Sequence, residues 1–223
     1  IDFIMKIDDI IEEELINYYK VDSRIDETNI NVSVSDNKVT LSGNVPSFKS
    51  KLVAEEDAWV IDGVKNVENN LKIKLPEPKS HPSDDVIADR VEKYLTWNND
   101  IDATNIQAMC NNLWITLKGT VPTYWEKTKA EMIAKTLNGV VGITNEISVV
   151  PSKEIADEII AQNVTDSIKR NTHVNMDNIT VHVSSGNVVL SGRVHNWNAK
   201  RAAYDAASFT LGVKDVDDQI LVT

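Results

Sequence analysis

The chain repeats one unit three times, and this limits what it can fold into more than any other feature. Gly43, Gly119 and Gly192 anchor three 35-residue stretches that align almost without gaps: VTLSGNVPSFKSKLVAEEDAWVIDGVKNVENNLKI, ITLKGTVPTYWEKTKAEMIAKTLNGVVGITNEISV and VVLSGRVHNWNAKRAAYDAASFTLGVKDVDDQILV. A second glycine follows each anchor at a constant interval, as Gly63, Gly139 and Gly212. Upstream, Asn29-Ile30, Asn105-Ile106 and Asn178-Ile179 coincide as well. Self-similarity at a fixed period means that one supersecondary unit recurs along the chain. A unit of about 70 residues is near the low end for folding alone, so packing between units is expected.

Each copy reads α-β-β-α-β, an α+β module. Ile11/Leu15, Ile87/Val91 and Ile160/Val164 put apolar residues four apart on one face of a first helix, and Ile168 extends the stripe in copy three. Alternation follows at Ile30, Val32, Val34 and at Ile179, Val181, Val183, the mark of a half-buried strand. Asp36-Asn37 and Ser185-Gly186 supply a two-residue hairpin turn. In copy two Leu113 stands at the place of Asn37 and Gly186. Leucine tolerates positive φ poorly, so this turn is expected to be strained or differently shaped.

The second strand holds Val39/Leu41, Ile115/Leu117 and Val188/Leu190 and is expected to end at the anchor glycine. Ser47, Thr123 and Asn196 cap the second helix, Thr123 with Glu126 as a capping box. Its inner face is small: Ala54/Ala58, Ala130/Ala134 and Ala203/Ala207 let the helix lie close to a sheet. Gly63, Gly139 and Gly212 suit the position just past its C-cap, where αL geometry favours glycine. The third strand covers 67–73, 143–149 and 216–222. The modules are therefore placed at 1–75, 83–150 and 151–223, with 76–82 as a proline-rich, semi-rigid linker. The second junction is only Pro151-Ser152, so modules two and three should be the more tightly coupled pair.

The run VTLSG-x-VP…A…DGVK-x-V-x-N-x-L-x-I at 39–73 closely resembles the BON domain (bacterial OsmY and nodulation domain), as do 115–149 and 188–222. The two glycines, the V/I-T-L strand and the closing Asn69 and Asn145 sit at the family's spacing; copy three departs from it at His195 and Asp218. The resemblance implies a mixed three-stranded sheet with two helices on one face. It also implies a non-enzymatic role in the bacterial envelope, with phospholipid binding as the role usually proposed. With three copies, the resemblance implies a protein of the osmotically induced or transport-associated type.

Composition and charge exclude other classes. Net charge is −11, and every module shares the sign: −6 over 1–76, −3 over 77–150 and −2 over 151–223. No cationic face for nucleic acid is visible. An acidic chain is also not drawn as a whole to anionic lipid, so any membrane contact must be local. No apolar run approaches the roughly 20 residues that cross a bilayer. If Met5 is the native start the expected compartment is cytoplasmic; if a leader has been removed, the family suggests the periplasm.

No catalytic or metal constellation emerges, and no cofactor is implied. Cys110 cannot form an intrachain disulfide, because it is the single cysteine, and it reads as a small buried hydrophobe. His81, His173, His182 and His195 have no zinc spacing. Asp100-Ile-Asp102-Ala-Thr104 starts like a calcium loop but lacks the required Gly and Glu. No nucleophile motif accompanies the Ser-Gly pairs, and copy two has Lys118 in place of their serine.

The candidate contacts are aromatic and basic. Phe48, Tyr124 and Trp197 share one position at the start of helix two, Trp125 follows Tyr124, and Lys51, Lys127, Lys200 and Arg201 lie one turn on. Such pairs can meet lipid headgroups; the competing reading packs the rings against the sheet or the neighbouring module. Trp59 and Trp97 are placed at intermodule seams, and Trp114 on the open face of its sheet. Two functions follow as expectations: a phospholipid-binding protein of osmotic or envelope stress, or an adaptor that docks a protein partner through exposed sheet faces.

Overall fold

A computed structural model describes residues 6–75, 82–171, 174 and 178–223, Glu27 by its backbone alone. Met5, most of the proline linker, His81 and His173 lie outside the described residues. The first module comprises α1 (Ile7–Val21), β1 (Ile30–Ser35), β2 (Lys38–Val45), α2 (Phe48–Val60) and β3 (Asn66–Ile73). The second comprises α3 (Asp84–Trp97), β4 (Ile106–Asn111), β5 (Trp114–Val121), α4 (Tyr124–Lys135) and β6 (Gly142–Val149). The third comprises α5 (Asp157–Lys169), β7 (Ile179–Ser184), β8 (Asn187–Val194), α6 (Trp197–Ser208) and β9 (Asp215–Val222). Each sheet has its strands in sequence order. In the first two modules the opening hairpin is antiparallel and the third strand runs parallel to the second.

The apolar stripe of each first helix has three members: Ile11, Leu15, Tyr19; Ile87, Val91, Leu95; Ile160, Val164, Ile168. They pack over the inward residues of the middle strand and the alanines of the second helix, all of which are buried. The alanines bring that helix close enough for the Tyr19 hydroxyl to donate to the Ala54 carbonyl at 2.5 Å. Replacing an inward leucine such as Leu41 by alanine should cost about 2–5 kcal/mol.

Two expectations change in detail, and for a third the structure decides between the two alternatives. The second strand continues two residues past the anchor glycine, to Val45, Val121 and Val194. It can do so because Gly119, at φ 133°, lies against the carbonyl of Asn105, where any Cβ would collide. Helix α2 is capped by Ile61, so Gly63 does not follow the cap directly. It is the third residue of a β-turn closed by Val64 N–H on the Ile61 carbonyl at 3.3 Å, and its φ of 86° fits a type II turn. The hairpin turn of module two has the same shape as the others: Asn112 and Leu113 are at φ 51° and 64°, Asp36 and Asn37 at 52° and 62°. Leu113 thus accepts the strain and keeps the geometry.

The described chain divides into two compact units. One holds the first module with His195–Trp197 and Val222–Thr223; the other holds the second module and the rest of the third.

Candidate functional site

At the shared aromatic position at the start of the second helices, Tyr124 and Trp197 have partners inside the protein. Ser47 and Thr123 cap α2 and α4, their hydroxyls accepting from Ser50 N–H and Glu126 N–H. Phe48, the next residue, is half-buried. Tyr124 is only 7% exposed and its hydroxyl lies 3.1 Å from that of Tyr204 in the same unit. Burial, with Tyr204 beside it, holds its phenol well above the usual range. Trp125 is half-buried with the Lys129 ammonium 5.7 Å from its ring centre. Within the first unit, Trp197 stacks on Trp59 at 4.4 Å with 13° between the ring planes.

Two of the paired basic residues, Lys51 and Lys200, turn toward their own modules. Lys51 Nζ donates to the Leu71 carbonyl at 2.8 Å. Lys200 makes the same bond to Ile220 and also lies 3.4 Å from Asp218. Lys127 is half-buried, and its carbonyl accepts from Asn145 Nδ2 at 3.0 Å. Arg201 is exposed, with Nε 4.0 Å from Asp205. Asn145 also accepts from Ile147 N–H and donates to Glu131, so one amide ties the third strand to the second helix. Asn69 does the same in module one. Asp218, which can accept but not donate when ionised, keeps the backbone bond to Ile220 and takes Lys200 as partner.

Trp114 is on the open face of the second sheet, 48% exposed. Its indole N–H donates to Thr144 Oγ1 at 2.9 Å, and its ring lies over Gly142, where a Cβ would strike it. Exposed Met109 shares this face.

The first helices carry a feature that sequence reasoning missed. On α3, Val86, Arg90, Tyr94 and Trp97 form one row beside the buried stripe, and all four are exposed, Tyr94 by 52% and Trp97 by 74%. The spacing of four, four and three keeps them on one helical face. The Trp97 ring centre lies 6.3 Å from that of Tyr94. The signal was a second apolar register alongside the stripe of Ile87, Val91 and Leu95. On α1 the row is Ile10, Glu14, Tyr18 and Val21; on α5 it is Ile159, Asn163, Ser167 and Arg170.

Among the described residues, no three His, Cys, Asp or Glu converge as metal ligands. Cys110 Sγ donates to Asp84 Oδ1 at 3.2 Å; burial first, then Asp84, pushes its pKa up to about 12, which keeps the thiol protonated and unreactive. No helix among the described residues is long and apolar enough to cross a membrane.

The BON domain model matches residues 7–74, 83–151 and 156–223. Osmotically-inducible protein Y of Escherichia coli (strain K12) is 26% identical over 126 residues, 55% of this chain and 63% of that protein, so the chain spans less than two thirds of this relative. Among solved structures, CdsD, a structural protein of the type III secretion system of Chlamydia trachomatis, is 14% identical, covering 95% of this chain and 90% of its own, with a TM-score of 0.28. The periplasmic domain of PrgH is 11% identical, covering 87% of this chain and 95% of its own, with a TM-score of 0.22.

Proposed function

The chain belongs to the BON domain family, as three tandem copies, and from that premise we propose that it is a non-enzymatic protein that binds phospholipid surfaces in bacterial osmotic or envelope stress. The observation that carries this reading is the exposed row Val86–Arg90–Tyr94–Trp97 on α3. Aromatic rings and an arginine on one solvent face of an amphipathic helix suit the headgroup boundary, where the rings enter apolar lipid and the guanidinium meets phosphate. The relative induced by osmotic stress in Escherichia coli supports the physiological setting. Net charge of −11 opposes general attraction to anionic membranes, so the contact is local and salt-sensitive. Co-sedimentation with phosphatidylglycerol vesicles at low salt tests it. The intact chain should pellet with the vesicles, and Tyr94→Ala/Trp97→Ala should weaken this. Failure of the intact chain to pellet removes the reading.

The adaptor reading rests on Trp114 and Met109 on the open sheet face of module two. It requires a defined protein partner whose recovery is lost in Trp114→Ala. An unchanged set of partners removes it. Of the other residues first considered, Phe48, Lys127 and Arg201 stay within the lipid-contact proposal, whereas Lys51, Tyr124, Trp125, Trp197 and Lys200 serve it by holding the modules in shape.

A further inference from the structure

The third module carries a cleft lined by two arginines that its sister modules lack at the equivalent positions. It lies between the end of α5 and the outer face of α6, has a volume of about 530 Å³, and is lined by Ser167, Arg170, Asn198, Arg201, Asp205 and Phe209 among others. Arg170, at the C-cap of α5, stands on one wall, and Arg201, in the second turn of α6, on the other. Both are exposed. The equivalent pairs are Val21 and Leu52 in module one, and Trp97 and Thr128 in module two. The two guanidinia are therefore particular to this module. A helix C-terminus accounts for one cation through the helix dipole, but it does not account for Arg201 opposite.

The local charge is the reverse of the chain's. Two arginines face one carboxylate, Asp205, whose pKa burial raises and Arg201 opposes. Arg170 is oriented by Ser167, its Nη2 donating to the hydroxyl at 2.7 Å, and Arg201 by Asp205, 4.0 Å from its Nε. Each guanidinium has five N–H donors, so both retain donors that can close on a phosphate in paired geometry. Beside the cleft, at the turn out of α6, Phe209 is 61% exposed and Leu211 65% exposed. Phe209 lines both the cleft and an adjoining hollow of about 320 Å³ shared with Trp125 and Leu211. A free phosphate would use only the arginines. An anionic lipid would use both parts: phosphodiester on the arginines, acyl chain against Phe209 and Leu211.

We propose that the cleft between α5 and α6 binds the phosphate of an anionic phospholipid, with Phe209 and Leu211 entering the acyl region. The proposal rests on the membrane-surface reading and assigns it a specific site in module three.

The test uses the full chain and phosphatidylglycerol vesicles, with affinity measured by co-sedimentation and folding by thermal melts. Arg170→Gln/Arg201→Gln should weaken binding by about tenfold to thirtyfold, as expected for two cations at an anionic surface. Lys153→Gln/Arg193→Gln removes the same charge from exposed positions elsewhere in module three and should leave binding nearly unchanged. Phe209→Ser should weaken binding without altering net charge. Full competition by millimolar inorganic phosphate would reassign the cleft to a soluble anion and overturn the lipid proposal. Equal losses in the two arginine-containing double variants would reduce the effect to net charge and overturn it too. If the intact chain binds but Arg170→Gln/Arg201→Gln binds equally well, the cleft is wrong and the membrane reading stands. If the intact chain does not bind, both fall.

Discussion

The carboxylate of Asp84, at the first turn of α3, accepts the backbone N–H of Leu113 at 2.8 Å on one oxygen and that of Asn112 at 2.8 Å on the other. The same clamp recurs in the other modules. Asp8 holds Asp36 and Asn37, and Asp157 holds Ser185 and Gly186, at 2.7 to 3.0 Å. A type I′ turn points both of its amides outward, and a carboxylate at the neighbouring helix start satisfies both while favouring the helix dipole. In module two the clamp secures a turn whose leucine would resist it.

The clamp predicts a pH signature. Leu113 N–H, the Cys110 thiol and Asn112 N–H hold Asp84 below its usual carboxylate pKa. A carboxylate with a depressed folded pKa adds stability above the unfolded pKa of about 3.9, and that stability is lost as pH falls through the lower folded value. Asp84→Ala should therefore lower the melting temperature at pH 7, and the gap from the wild type should close below about pH 4. A constant gap across that range in thermal melts would contradict the account.

Asp57 predicts the opposite slope. It is buried in α2, with Oδ1 2.9 Å from Arg24 and Oδ2 without a hydrogen-bond partner. Burial first, then the neighbouring Asp22, pushes its pKa up to about 6, against the pull of Arg24; Arg24 meanwhile holds Asp22 below the carboxylate range. The folded state then binds more protons than the unfolded state between about pH 4 and pH 6, so this group favours folding at low pH and loses that contribution as pH rises. Asp57→Asn should flatten the dependence of urea-unfolding free energy on pH in this window. An unchanged slope would show that Asp57 titrates normally.

The repeat, the connectivity and the inward faces were legible because periodicity and glycine placement report backbone geometry directly. The Asp8, Asp84 and Asp157 clamp was also visible as an aspartate three residues before the first buried isoleucine of each copy, but a first-turn acid reads as a helix-dipole residue until its partner is seen. The aromatic and basic positions of helix two were found, but not their direction: whether Lys51 reaches solvent or the Leu71 carbonyl depends on how closely β3 passes that turn of α2, which only the packing sets. The row on α3 was missed because Val86, Tyr94 and Trp97 flank a stronger apolar stripe that accounts for the helix by itself.

Gly119 and Gly142 should respond differently to alanine. At Gly119 the new Cβ would meet the backbone carbonyl of Asn105, at a φ that L residues rarely adopt. Gly119→Ala should cost about 3 kcal/mol or more in chemical unfolding. At Gly142 the obstacle is the Trp114 ring, which is exposed and can swing away. Gly142→Ala should remain folded and change the Trp114 environment, seen as a difference in indole fluorescence from the Trp114→Phe background.

The bridging amide gives an asymmetric pair of substitutions. Asn145 Nδ2 donates to the Lys127 carbonyl and to Glu131, both at 3.0 Å. Burial tends to raise the Glu131 pKa, but Lys135 and Asn145 outweigh it and hold the carboxylate ionised. Asn145→Asp removes the donor and sets a second carboxylate against Glu131, so it should cost about 1–3 kcal/mol. In module three Asp218 already occupies this place and uses Lys200 as its counter-ion. Asp218→Asn loses that ion pair but gains an amide donor near the α6 backbone, and its net effect should stay within about 1 kcal/mol. Urea denaturation of the two variants at neutral pH checks the difference. Equal losses would mean that the Asn145 bridge is not what ties β6 to α4.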